Sequence, residues 1–362
     1  MNKISEEHDF ILKLLTRRNN IITKEQLKEV NWNKILKLGT WHRINPIIYR
    51  RLKSQNLLES LPVSIANKFR DIYQYNLARN IVLIKELSAI NGSFGEKGIH
   101  FLLIKGLSLS GDVYDDSAER ITGDLDLLVN VMDLRNAEKI LVSLGYRVKE
   151  TRDEDLKNHY HITYINHDKK LTVELHFLLL NQSHFMNNSF MHSGFTQDMI
   201  RDKRIIKIFG ISVNTLNIEE QLVYLSLHFV KHRSLEESVS SLGALMQLND
   251  IYLTLNKYDQ ADWDKITRLS DNYNVSQYVS LTLRLVAYYF DEGNNNLGIP
   301  GRFIKHSDTE YDFDTLKMNL LLIDRVKYRI RIKDAIRSIL KKFKLYSLLR
   351  IVFHSLQKQK SK

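Results

Sequence analysis

Apolar residues recur at three- and four-residue spacing through the first ninety positions, the period of helices that bury one face. The pattern predicts helices in EEHDFILKLLTRR, in KEQLKEVNWNKILKLGTWHRINPIIYRRLKS and in a long segment from Pro62 to about Ile90. Pro62 suits the first turn, where a missing N–H costs nothing. At EKGIHFLLIKG the period changes. His100 to Ile104 is a short β-compatible run, Gly106 to Tyr114 reads as the start of a helix, and Leu125 to Val129 reads as a second buried strand. DLRNAEKILVSLGY is an amphipathic helix with Gly145 at its C-terminal end, and YRVKE, YHITYIN and LTVELHFLL read as strands. After about Asn217 the helical period returns and runs to the C-terminus, interrupted by the Gly- and Asn-rich loop DEGNNNLGIPGR. The middle of the chain is therefore α/β in pattern, between two helical regions.

Composition narrows the chemistry. The 362 residues are 43% apolar, enough for a large core. No apolar run approaches the roughly 20 residues that span a bilayer, and MNKISEEHDF lacks the basic-then-apolar order of a signal peptide, so the expected compartment is the cytoplasm. With no cysteine in the chain, disulfides and thiolate metal sites are excluded, and any metal must be held by carboxylate or imidazole. The net charge of +11 points to an acidic partner until it is mapped. Residues 325–362 hold thirteen Lys or Arg against Asp334, so +12 lies in the tail and the preceding 324 residues sum to −1. A near-neutral body argues against a nucleic-acid groove across the main fold. The tail mixes Lys and Arg with Leu, Ile and Phe at helical spacing. That pattern fits a helix lying on an anionic membrane surface, and equally one packed on its own domain.

Within that neutral body, TGDLDLLV places Asp124 and Asp126 one residue apart beside an apolar run. In a strand, residues two apart share a face, so two carboxylates would stand side by side and repel unless a cation lies between them. A pair of Mg²⁺ ions about 3.5–4 Å apart would answer the repulsion and serve in-line displacement at phosphorus. Glu174, in LTVELHF, is placed to be a third carboxylate from a neighbouring strand. The bland alternative has Asp124 capping a turn and Asp126 exposed. Upstream, Lys105-Gly106 offers a cation and a glycine at a strand-to-helix junction where phosphate can approach the backbone; Ser108 would add a hydroxyl. Arg120 could contact a triphosphate or lie free on an exposed loop.

Histidines form a second group. His176 follows Glu174 by two and shares its face, so it is a candidate contact to nucleotide or acceptor, with a structural histidine as the alternative. His228 and His232 lie one helical turn apart beside Lys231. Zinc there lacks a third ligand, and packing or acceptor binding is the competing reading. Asp250 is expected to pair with one of these histidines.

IKGLSLSGDVYDDSAERITGDLDLLV, VELHF and LVYLSLHFVKH, in that order, resemble the uncharacterised nucleotidyltransferase family of the DNA polymerase β-like nucleotidyltransferase superfamily. The likeness runs from about Trp41 to Leu255. It implies a nucleotidyltransferase core with a small mixed sheet and flanking helices; joined to the helical periods on either side, which the likeness covers only in part, this predicts an α+β chain with the core over residues 92–215 between an N-terminal helical region (1–91) and a C-terminal helical domain with the basic tail (216–362). It also implies two divalent ions, Mg²⁺ with Mn²⁺ as substitute, held by Asp124, Asp126 and Glu174, the last also a candidate general base. Gly106 and Ser108 would lie against the phosphates. The implied reaction transfers a nucleoside monophosphate from an NTP, ATP first, to an unidentified hydroxyl-type acceptor with release of pyrophosphate. One departure stands out: Leu107 follows Gly106 where the superfamily usually has G-S or G-G, and the gap to the first aspartate is longer. Two other readings compete, a degenerate module that binds nucleotide or protein without chemistry, and an enzyme extending RNA ends. Nothing in the sequence sets the acceptor or the oligomeric state.

Overall fold

A computed structural model describes residues 5–16, 21–149, 160–180, 193–231, 242–291 and 296–304. His232 and the basic tail lie outside the described residues. Helices α1 (Glu6–Leu15), α2 (Gln26–Glu29), α3 (Trp32–Trp41), α4 (Asn45–Ser54) and the 33-residue α5 (Val63–Gly95) come first, followed by β1 (Phe101–Ile104) and the short α6 (Gly106–Asp112). Next are β2 (Leu125–Val129), α7 (Leu134–Ser143), β3 (Arg147–Val148), β4 (His161–Asn166) and β5 (Leu171–His176). Helix α8 (Ser193–Arg201) and strands β6 (Lys203–Ile208) and β7 (Ile211–Leu216) lead into α9 (Ile218–Lys231), α10 (Ala244–Lys257), α11 (Trp263–Asn272), α12 (Ser276–Phe290) and α13 (Gly301–Ile304).

The strands form one mixed sheet in the order β3-β4-β5-β2-β1-β7-β6. β1 runs antiparallel to β2 and parallel to β7, and β2 runs parallel to β5. The fold is α+β with a mixed sheet, and the strands expected at β1, β2, β3, β4 and β5 are present. Helix α5 begins one residue after Pro62, which sits at its N-cap. Polar side chains fix other starts: Asn31 accepts from the Lys34 N–H at α3, and Asp262 from the Asp264 and Lys265 N–H groups at α11.

Alternation along the central strands divides two cores. Leu103, Leu125, Leu127, Val173 and Leu175 face one side, where they meet Leu83, Leu87, Ile90 and Phe94 of α5 and Leu141 of α7. Leu102, Ile104 and Leu128 face the other, where one apolar cluster also takes Phe10, Ile35 and Ile48 from the N-terminal helices and Leu227, Ile251 and Val286 from the C-terminal ones. Asp126, of the same parity as Leu128, therefore stands on the sheet face turned toward the C-terminal helices. Helix α5 enters both cores, Ile65 and Phe69 in one and Leu83 to Phe94 in the other. Among the described residues no helix is long and apolar enough to cross a membrane.

Candidate active site

The loop between α6 and β2 carries the charged residues into position, and α5 holds that loop from below. Asn76 donates to the carbonyls of Ala118 and Arg120 (2.6 and 3.0 Å), and Asn80 donates to those of Ser117 and Arg120 (2.6 and 3.2 Å). Arg79 bridges the Gly123 and Lys170 carbonyls at 2.8 and 2.7 Å. Asn76 and Asn80, one turn apart, thus satisfy loop carbonyls that would otherwise be buried unpaired, and Arg79 ties the loop's end to the β4–β5 turn. The loop ends on Asp124, one residue before β2.

Register does the rest. Asp126 on β2 is paired directly with Glu174 on β5, and Glu174 with Thr163 on β4. Lys105, between β1 and α6, has φ 53° and ψ −136°, a left-handed conformation that side chains rarely adopt. That backbone brings its Nζ to 2.7 Å from Asp126 Oδ1 and 3.9 Å from Glu174 Oε2. At the next residue a Cβ would lie 3.0 Å from Thr122 Cγ2 and 3.7 Å from Asp126 Oδ2, so Gly106 leaves the space above the carboxylate open. Asp124, Asp126, Glu174, Lys105, Gly106 and Arg120 line one cavity of about 400 Å³. Its far wall is Leu225, His228 and Lys231 on α9 and Met246, Gln247 and Asp250 on α10, with Arg43 at the side and Tyr160 beside Glu174.

Protonation follows from these neighbours. Burial, reinforced by the charges of Asp126 and Glu174, pushes the Asp124 carboxyl up to about 7. Burial works the same way on Asp126, but the Lys105 ammonium and the His176 hydrogen bond overcome it and hold that carboxyl below the usual range. Glu174 is likewise held low, burial being outweighed mainly by its bond to His176. For Lys105 the burial penalty is overcome by Asp126, and its amine stays protonated well above the ordinary lysine range. At Lys231 the carboxylates of Glu174 and Asp126 are outweighed: burial and then the charge of Lys105 push its amine down to about 7.

Several expectations are corrected here. Ser108 does not reach the cavity; its hydroxyl is buried and shares a 3.0 Å hydrogen bond with Thr215, which donates to the Leu103 carbonyl. Arg120 is not an exposed loop residue. It is buried and forms a two-pronged pair with Asp250, Nε to Oδ1 and Nη2 to Oδ2, both at 2.9 Å. Asp250 therefore binds Arg120, with the Tyr114 hydroxyl donating to it at 2.7 Å, and among the described residues no histidine pairs with it. His176 is wholly buried, its Nε2 3.1 Å from Asp126 Oδ1 and 3.4 Å from Glu174 Oε2. His228 reaches the cavity wall, near Tyr224. The partner of Glu174 and His176 is a residue sequence reasoning passed over, His161, whose Nε2 lies 3.7 Å from Glu174 Oε1. Among the described residues His161, Glu174 and His176 form the cluster with metal-compatible spacing.

The donor set fits divalent ions on one observation: an ammonium already occupies the place of a cation at Asp126, while among the described residues Asp124 has none at bonding distance and its carboxyl is pushed up to about 7.

Residues 28–291 match the family described as uncharacterised nucleotidyltransferase, and the chain belongs to it. Two solved structures are similar to it. One is the solution structure of the antibiotic-resistance factor ANT(2'')-Ia, at 13% identity over 57% of this chain and 96% of that one, TM-score 0.35. The other is an antigenic nucleotidyltransferase-like protein from Paracoccidioides brasiliensis, at 13% identity over 59% and 91%, TM-score 0.36. A comparison with curated proteins gives no match.

Proposed function

We propose that the chain is a divalent-metal-dependent enzyme that transfers a nucleoside monophosphate from an NTP, ATP first, to a hydroxyl-bearing acceptor. The observation that carries this reading is the convergence of Asp124, Asp126 and Glu174 in one cavity with Lys105 as their counter-charge. The three carboxylates would hold the ions, and the ions would neutralise the polyphosphate and activate the acceptor oxygen.

The chain's own residues supply the remainder. Gly106 leaves room for phosphate beside Asp126. Arg43 at the side of the cavity offers positive charge to the polyphosphate, and Lys231 on α9, its amine pushed down to about 7, offers an N–H donor that gains its proton beside a bound anion; Lys105 would add a further charge. Arg120, already committed to Asp250, shapes the wall. In the transfer, the acceptor oxygen forms a bond to the α-phosphorus, the bond from that phosphorus to the bridging oxygen breaks, and pyrophosphate leaves. The acceptor proton passes to Glu174, whose carboxyl is held ionised.

The test is incubation with each NTP, Mg²⁺ and a metabolite and protein extract, read by pyrophosphate release and by mass spectrometry for added nucleoside monophosphate. Wild type is expected to give both, and Glu174→Gln to bind ATP while losing most of the transfer. Nucleotide binding with no adduct from any NTP would overturn the enzyme reading and leave a binding module.

A further inference from the structure

We propose that His161 and His176, with Glu174 and Asp126, make one corner of this cluster a mixed nitrogen and oxygen site that takes a first-row transition ion in preference to Mg²⁺. The inference rests on reading the acids as a metal site and adds its chemical preference. β4 and β5 run antiparallel with His161 opposite His176 and Thr163 opposite Glu174, so alternation sets His161, Glu174 and His176 on one face. Asp126 joins them from β2 through its pairing with Glu174. The ligand-capable atoms of His161, Glu174 and His176 all lie within 4.8 Å of one another. An ion holding nitrogen and oxygen at about 2.0–2.2 Å sets opposite ligands about 4–4.4 Å apart and neighbouring ones about 3 Å apart. The gaps of 3.1 to 3.7 Å around Glu174 and Asp126 are therefore close to bonding geometry already.

The rings are held in place. Their centroids are 5.0 Å apart, Tyr160 packs against His161 at 4.3 Å, and His176 has no exposed surface. Without an ion, the Nε2–H of His176 is shared between Asp126 and Glu174; an ion bound by the same atoms takes the place of that proton. Magnesium favours an all-oxygen shell and keeps its waters, whereas imidazole suits zinc, iron, nickel and copper, with cobalt a spectroscopically visible ion of the same series. Two imidazoles at one corner thus bias the site away from magnesium.

The experiment titrates the full-length, chelator-stripped protein with Co²⁺ and then competes with Mg²⁺. Visible d–d absorption and paramagnetically shifted, exchangeable imidazole N–H protons are expected, with at least about a hundredfold excess of Mg²⁺ needed to displace the cobalt. His161→Ala, at a part-exposed position, should weaken Co²⁺ binding at least about tenfold and leave Mg²⁺ binding unchanged. His100→Ala, at an exposed position just before β1, should change neither. Absence of shifted imidazole protons in the cobalt-loaded wild type, which needs no variant to fold, overturns the inference. So does unchanged cobalt affinity in folded His161→Ala. Pyrophosphate release with saturating Mg²⁺ is measured alongside. Its absence counts against the transferase reading and leaves the cobalt result standing; its presence without shifted ring protons sinks this inference alone.

Discussion

Two groups of buried charges line the same cavity and resolve their burial in opposite ways. Arg120 and Asp250 satisfy each other through two hydrogen bonds, with Tyr114 donating to the carboxylate and Asn249 donating to Tyr114. Charge is balanced one to one. Asp124, Asp126 and Glu174 are three acids with Lys105 as the cation at bonding distance to Asp126, and Asp124 is left to take up a proton. A complete network of this kind is a structural joint, here between the α6–β2 loop and α10. An incomplete one leaves charge to be compensated, and under the proposed function that is the work of bound metal ions.

Breaking the complete network should have the larger effect on folding. Asp250→Ala strands the Arg120 guanidinium in a buried position, and chemical denaturation should show a loss of about 3–5 kcal/mol. A loss under about 1 kcal/mol would mean that the pair holds nothing together.

The incomplete network should respond unevenly. Under the proposed function, Asp124→Asn and Asp126→Asn both reduce pyrophosphate release to background. Their metal-free stabilities should diverge. Asp126→Asn removes the closest partner of a buried lysine and should cost about 1–3 kcal/mol, whereas Asp124→Asn relieves repulsion and should hold or gain stability. Equal shifts in the two melting curves would contradict the charge assignment.

Acidity sharpens the same contrast. The native state keeps on Asp124 a proton that the unfolded chain releases near pH 4, so it binds more protons between about pH 4 and 7. Stability from this group is therefore present below about pH 4 and lost as pH rises to about 7. In chelator, the difference between wild type and Asp124→Asn should fall across that window by at most about 4 kcal/mol, and saturating Mg²⁺ should flatten it. Asp126 and Glu174, held low, contribute in the opposite sense and lose their contribution in acid. The smallest expected effect is that of Ser108→Ala, about 1 kcal/mol of stability from the lost bond to Thr215, with turnover unchanged.

What the sequence reveals follows from the range of each interaction. Strands β1, β2, β4 and β5 announce themselves through short apolar runs and period-two alternation, which are local. The hairpin of β6 and β7 went unread. Its turn, Phe209-Gly210, has both residues at positive φ, but Phe replaces the Asn or Asp that usually marks such a turn, and β6 is half exposed. At the site, the spacing of Asp124 and Asp126, just before and just inside the start of β2, is visible locally. The pairing of His161 with His176 depends on the register of β4 against β5, and that of Arg120 with Asp250 on a contact across 130 residues. Nothing in local pattern encodes either. Asn76 and Asn80 carried a signal that could have been noticed: two asparagines one turn apart inside a long helix seek partners beyond their own backbone.

The distance in sequence between Arg120 and Asp250 also has a consequence for synthesis. At about 5–20 residues per second, on the order of 10 s separates the emergence of the two from the ribosome. Over that interval the sheet-forming stretch carries an arginine whose counter-ion has not been translated. Helices α1 to α4 wait longer for the apolar surfaces of α12 with which they share a core. A nascent chain stopped before Asp250 therefore presents both an unmatched buried charge and uncovered apolar helices. Exposed apolar surface of that kind is what calls for a chaperone, and the part of the protein that contains all three acids is the part that depends on being completed.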